Sequence, residues 1–428
     1  MISPTFPIPP YPRLGECYRL LARALDTKSS NRQIDRLARE GDFDWQLIPQ
    51  LREAFIWDPL SKRAGDTFAH FIMAAVETLH DRYVHLVKSI PLDALTRQQS
   101  LPTLMIHLYA PYAASCLLAM HKALPSPPMV ALLDSQRQVV DVVFDWFESE
   151  LGIQPKQLGH HVYPDSIGIN KNGRQDLQRW RAGTQLPSLN SIALITQKLL
   201  RRYPHRTQFI HAGREWLITA RMLSYLAGEA EPYGNLRDLM LRAVLSNFPT
   251  VDIGKLLSMQ NIQAAKQQRP VVESGLLLQA TLQRTSNKPP GAMASTRRAL
   301  DEFRQLLNAT AMVESSSYYM EWLEGRWHVL AGQLESAKVH YEHAADLALY
   351  RSGPTQKDII REALLLAAFL GELPLYKRLK HRALAFDHSY FPGWETSVAD
   401  AHELKLIGSN FELRFPPRGH FVESAGCV

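Results

Sequence analysis

Histidine, cysteine and carboxylate side chains, which bind metals and move protons, lie along this chain without the spacings that would bring several to one point. His160 and His161 are adjacent. Neighbours on a regular helix project about 100° apart and do not share one ion, so a solvated pair is expected. HExxH, Walker, GxGxxG and GxSxG patterns are absent. The expectation is therefore a chain with no catalytic residue, no metal and no cofactor. What remains is electrostatic. From Lys171 to Arg206 there are eight basic residues (Lys171, Arg174, Arg179, Arg181, Lys198, Arg201, Arg202 and Arg206) against one acid, Asp176. This segment more than accounts for the formal net charge of +6.

The same segment has helical periodicity. Leu177 and Trp180 are three apart on one face, whereas Arg174, Gln175, Gln178 and Arg179 lie mostly on others. Gly183 supplies a left-handed stop, Pro187 and Ser188 open a further helix, and Ile192, Ile195 and Leu199 give it an apolar stripe. Two helices are expected to pack through Trp180.

The stretch RQDLQRWRAGTQLPSLNSIALITQKL resembles the recognition helix, turn and next helix of the Xre/Cro/C1-type helix-turn-helix family. Upstream, VVFDWFESELGIQPKQLGHHV is similar to that family's first two helices, with Leu158 at its buried leucine. The likeness covers Val139 to Leu200. It departs from the family at Tyr163 to Gly173, which makes the link between the second and third helices roughly eight residues longer than a tight turn.

The resemblance implies that the third helix enters the major groove of double-stranded DNA, with Arg174, Gln175, Gln178 and Arg179 at base-contacting places. Arginine can fork onto guanine O6 and N7, and glutamine can do the same on adenine. Gln154, Lys171, Arg181 and Arg206 become candidates for phosphate, and Leu158, Leu177, Trp180, Ile192 and Ile195 for the core. A homodimer is the default for readers of palindromic sites. A fainter echo at 29–43, with Arg32, Gln33, Arg39 and Gly41, has its apolar residues one position out of phase.

Helices are expected to position this segment. The chain has 428 residues, of which 46% are hydrophobic and 21% charged, values typical of a folded globular protein. Leu14 to Leu25 places Cys17, Leu20, Leu21 and Leu25 near one face, and Thr67 to Ile90 places Phe68, Phe71, Ile72, Ala75, Val76 and Leu79 at three-and-four spacing behind a possible Asp66 cap. The prolines in LPSPPM mark a boundary near 128.

Further on, Gly325, Gly332, Ala337, Tyr341 and Ala344 match the small-and-aromatic spacing of a tetratricopeptide repeat, and Gly371 and Ala383 fall at equivalent places in the next pair. Tyr318, Tyr319, Trp322 and Trp327 are read as packing residues. The expected architecture is all-α: a helical N-terminal region over 1–128, a helix-turn-helix domain over 129–206, and a tetratricopeptide-like hairpin array over 207–428.

Three widely separated cysteines, Cys17, Cys116 and Cys427, suggest a reducing compartment, and with no export signal or uninterrupted apolar span the expectation is cytoplasmic, with no membrane. The functional expectation is a bacterial-type DNA-binding regulator taking a signal or a protein or peptide partner at its repeats. The alternative is an adaptor or scaffold whose helix-turn-helix shape reads no DNA.

Overall fold

The computed structural model describes residues 8–27, 48–164, 169–245, 251–285, 291–310 and 312–411, with backbone only at 169–171. Among the described residues every regular element is helical. The echo at 29–43 and Cys427 lie outside them.

The first layer contains α1 (Leu14–Ala24), α2 (48–64), α3 (Asp66–Ser89) and α4 (Arg97–Ala123). In α1 the buried stripe is Leu14, Tyr18 and Ala22, continued by Leu25, while Cys17, Leu20 and Leu21 are half-buried. The tyrosine takes the inward place because its hydroxyl finds partners in Arg52 Nε at 2.8 Å and His80 at 3.3 Å. Asp66 does not cap α3. Gly65 occupies that place at φ +92°, and Asp66 instead accepts from the Ser61 hydroxyl at 2.8 Å.

Helix α4 accommodates Pro102, which has no amide to donate, and a five-residue π turn follows at Met105–Tyr109. It is long and apolar enough by length and composition to cross a membrane. In this fold Leu104, Leu108, Ala114, Leu117 and Met120 are buried, and its second half packs on α11 (Leu236–Leu245).

The middle of the chain folds as α5 (Met129–Leu133), α6 (Val139–Leu151), α7 (Leu158–Val162), α8 (Ile169–Arg181), α9 (Leu189–Arg202) and α10 (Thr207–Ala230). Helix α10 is the hub, touching α1, α6 and α9. At Gly213 the Phe147 ring fills the place where a Cβ would stand, which brings α6 and α10 together. Buried arginines tie the pieces through carbonyl oxygens: Arg221 donates to Pro187 at 2.7 Å and Arg23 at 3.2 Å, and Arg237 donates to Leu132 and Arg137.

After α12 (Ile253–Lys266), an array of paired helices follows: α13 (Arg269–Thr285) with α14 (Ala292–Ala309), α15 (Val313–Leu330) with α16 (Leu334–Ala348), and α17 (Thr355–Phe369) with α18 (Leu373–Ala385), closed by α19 (Ala401–Gly408) on α17. Gly332 and Gly371 take φ +73° and +75° at the hairpin turns, a region that a side chain disfavours. The Tyr341 ring lies against Gly325, about 3.0 Å from where a Cβ would be, and Ala337 and Ala344 are fully buried. Ion pairs stitch the layers: Arg297 to Glu324 at 2.6 Å, Arg326 to Glu362 at 2.5 Å, and Lys380 to Glu403 at 2.8 Å. One apolar core runs from Tyr11 to Ile407, with a smaller one under α13, α14 and α15.

Candidate nucleic-acid interface

Acidic and apolar residues of α6 build the frame of the site. Gly152 ends this helix in the left-handed region at φ +65°, and Ile153 plugs the core behind it. Glu148 faces inward and accepts from the amides of Lys156 at 2.7 Å and Leu158 at 2.8 Å, so one carboxylate satisfies free donors where α7 begins. The same carboxylate lies 2.6 Å from Arg181 Nη2 of α8. Arg181 Nη1 also reaches Asp141 at 2.5 Å and Asp145 at 2.8 Å. Arg181 thus closes a network among α6, α7 and α8, and these carboxylates hold its guanidinium above its ordinary pKa despite burial.

That network corrects the reading of Arg181 as a phosphate ligand. Its side chain is 12% exposed and engaged with three carboxylates, so it is spent on positioning α8. The signal was present in the sequence: Asp141, Asp145 and Glu148 follow one another at four and three residues, an acidic stripe on one helical face.

Helix α8 packs mainly on α6 and α7. Leu177 and Trp180 are buried beside Leu158, Ile192 and Ile195, all within the main core. Gln175, Gln178 and Arg179 are exposed. Arg179 makes a 3.3 Å pair with Asp176. Arg174 is half-buried: its Nη1 lies 3.0 Å from His160 Nδ1, and its stem lies beside Gly159 of α7. The helix ends with the Thr184 amide donating back to the Arg179 carbonyl at 3.1 Å and Gly183 at φ +71°. Ser188 then caps α9, accepting from the Ser191 amide at 3.0 Å.

The reading of Tyr163 to Gly173 as one long link is corrected in its second half. Helix α8 already begins at Ile169, so Gly173 is helical. Its missing Cβ leaves room for the Tyr163 ring, whose carbons lie 2.5–2.7 Å from where that atom would be. Residues 165–168 and the Lys171 side chain lie outside the described residues.

Gln154 and Arg206 are exposed, as are Arg201 and Arg202 at the end of α9, two members of the basic run that the family resemblance does not assign to DNA. None of these three arginines has a carboxylate partner among the described residues; Arg202 donates to the His161 carbonyl at 3.2 Å. The two histidines diverge, His160 toward Arg174 and His161 toward the Tyr203 hydroxyl at 2.8 Å. Burial, then Arg202 and His160, push the His161 imidazole below its usual range. Among the described residues no group of three or more metal-ligating side chains gathers.

The class that fold and site define is a many-helix protein, all-helical in its regular elements among the described residues, with a basic surface element braced by ion pairs. No protein-family model matches the chain, and no curated protein or solved structure is significantly similar to it.

Proposed function

We propose that this chain is a DNA-binding regulatory protein, cytoplasmic and bacterial in type, that presents α8 to the major groove and receives a signal or a protein partner at its C-terminal hairpins. One observation carries the reading. Gln175, Gln178 and Arg179 project outward from a helix whose opposite face is locked into the core by Leu177 and Trp180, and the neighbouring Arg201, Arg202 and Arg206 are exposed without carboxylate partners among the described residues. Polar and arginine side chains on a rigid helix suit base edges, and uncompensated cations beside them suit phosphates. In this reading α6 to α9 are a helix-turn-helix of the Xre/Cro/C1 type, the hairpins are tetratricopeptide-like, the protein is a homodimer on a two-fold site, and no catalysis is assigned.

An adaptor role has its own support in α13, where Val272, Leu276 and Leu277 are exposed opposite the buried Val271, Leu278 and Leu282. A helix apolar on both sides suits a protein partner. Selection from random duplexes at two salt concentrations separates the readings. The DNA reader yields an enriched motif, and Gln175→Ala with Arg179→Ala loses preference for it, with each good base contact contributing roughly 1–3 kcal/mol. No enriched motif, or one that the double variant binds equally well, leaves the adaptor.

A further inference from the structure

We propose that the cleft between α2, α9 and α10 is a binding site for a small organic anion, a carboxylate on an apolar body. The cleft is about 410 Å³, within the range of small-molecule sites. Its floor is the outer face of α9, with Ala193, Leu194, Gln197 and Leu200, and two arginines approach from different elements, Arg63 from α2 and Arg214 from α10.

Among the described residues Arg63 is not neutralised by a carboxylate, and Arg214 has only a long ion pair. Arg63 donates to the Asn190 side-chain oxygen at 2.8 Å and the Pro59 carbonyl at 3.4 Å, and it pairs with no carboxylate among the described residues. Arg214, with a side chain 15% exposed, donates to the Ala64 carbonyl. Its Nε is buried with no hydrogen-bond partner among the described residues, and its nearest carboxylate, Glu215, is 3.8 Å away.

Two cations lining one cleft, one held by neutral oxygens and the other by a neutral oxygen and a long ion pair, favour an anion, and guanidinium forks match carboxylate geometry. The apolar floor selects against a bare inorganic ion and favours an organic body over Leu194 and Leu200. The site lies on α9, separate from the outward face of α8, so it stands whether or not the chain reads DNA.

The test uses the full chain and sodium benzoate, with benzamide as the neutral control, inorganic phosphate as the bare anion, and constant ionic strength. Benzoate should raise the melting temperature saturably, while benzamide and phosphate do not. Arg63→Gln should weaken benzoate by about tenfold, the scale of one lost charge-assisted hydrogen bond. Arg214→Gln should weaken it at least as much. Because Arg214 also holds Ala64, Leu194→Trp supplies a second test: Leu194 is 45% exposed, so the indole should fill the cleft and abolish the response without lowering the ligand-free melting temperature. Benzoate acting no better than benzamide or phosphate, or acting undiminished on Arg63→Gln and Leu194→Trp, overturns the site.

Discussion

The backbone amide of Leu14 donates to the hydroxyl of Tyr350 at 3.0 Å, joining positions 336 residues apart. Around it the Leu92 amide donates to the Arg351 carbonyl at 2.8 Å, and the Gln356 side chain donates to the Val87 carbonyl at 3.0 Å. The N-terminal helices and the hairpin array therefore share a hydrogen-bonded seam. Gly353 sits in it at φ +52°, where an added Cβ would stand 2.5 Å from the Pro91 nitrogen. Both the conformation and the backbone contact exclude a side chain, so Gly353→Ala should lose about 1–3 kcal/mol. Urea unfolding measures this, and a loss below about 0.5 kcal/mol, an ordinary surface effect, would contradict the seam.

Arg181 and Arg179 are two residues apart in one basic run and should behave oppositely. Arg181→Ala leaves Asp141, Asp145 and Glu148 close together without their shared cation, at a cost of about 3 kcal/mol or more. Arg179→Ala removes an exposed side chain with a surface pair and should change stability by less than about 0.5 kcal/mol. Equal melting temperatures for the two variants would refute the inward role of Arg181.

In the array, Ala344 is fully buried beside the α15 and α16 contact. Ala344→Trp should overpack the hairpin by about 1–3 kcal/mol. Unchanged helicity together with an unchanged unfolding midpoint would show that the position tolerates bulk and that the hairpin packs elsewhere.

Stability should fall with acid from near neutrality. His80 and His388 are pushed down to about 4, mainly by burial, then by Arg52 for His80 and by Lys88 for His388. Unfolded, each regains its ordinary value of 6.5. Between those values the unfolded chain binds protons that the folded chain refuses, so their contribution is intact above 6.5 and is lost as pH falls toward 4. Urea midpoints across pH 7.5 to 4.5 should trace that decline, and His388→Gln should flatten it. A flat profile would mean that both imidazoles protonate within the fold.

Spacing made several elements legible. Leu177 and Trp180 mark the inner face of α8 and Gly183 its end, because a left-handed residue leaves a local signature, and Gly332 and Gly371, legible as repeat spacing, fall at the hairpin turns. Other features depended on partners distant in sequence. Gly173 reads as a breaker until Tyr163 is placed against it, and Arg181 looks like its basic neighbours until the acidic stripe of α6 faces it. Asp66 had the residue type of a cap, but Ser61 claims its carboxylate. For α1 the apolar count pointed to Leu20 and Leu21, whereas the Tyr18 hydroxyl, satisfied by Arg52, allowed the ring to take the inner place. The cleft on α9 left no trace in sequence, since Arg63 and Arg214 are 151 residues apart and each resembles any surface arginine.

The bond from Leu14 to Tyr350 sets a timetable for synthesis. At roughly 5–20 residues per second, a ribosome takes about 20 s to a minute to extend from one partner to the other. Throughout that interval the Leu14 amide lacks its final acceptor, although the apolar side of α1 can meet α10 once Ala230 is made, so it is the seam that stays unfinished through most of translation. A pause in elongation before codon 350 lengthens the time for which that seam stays open.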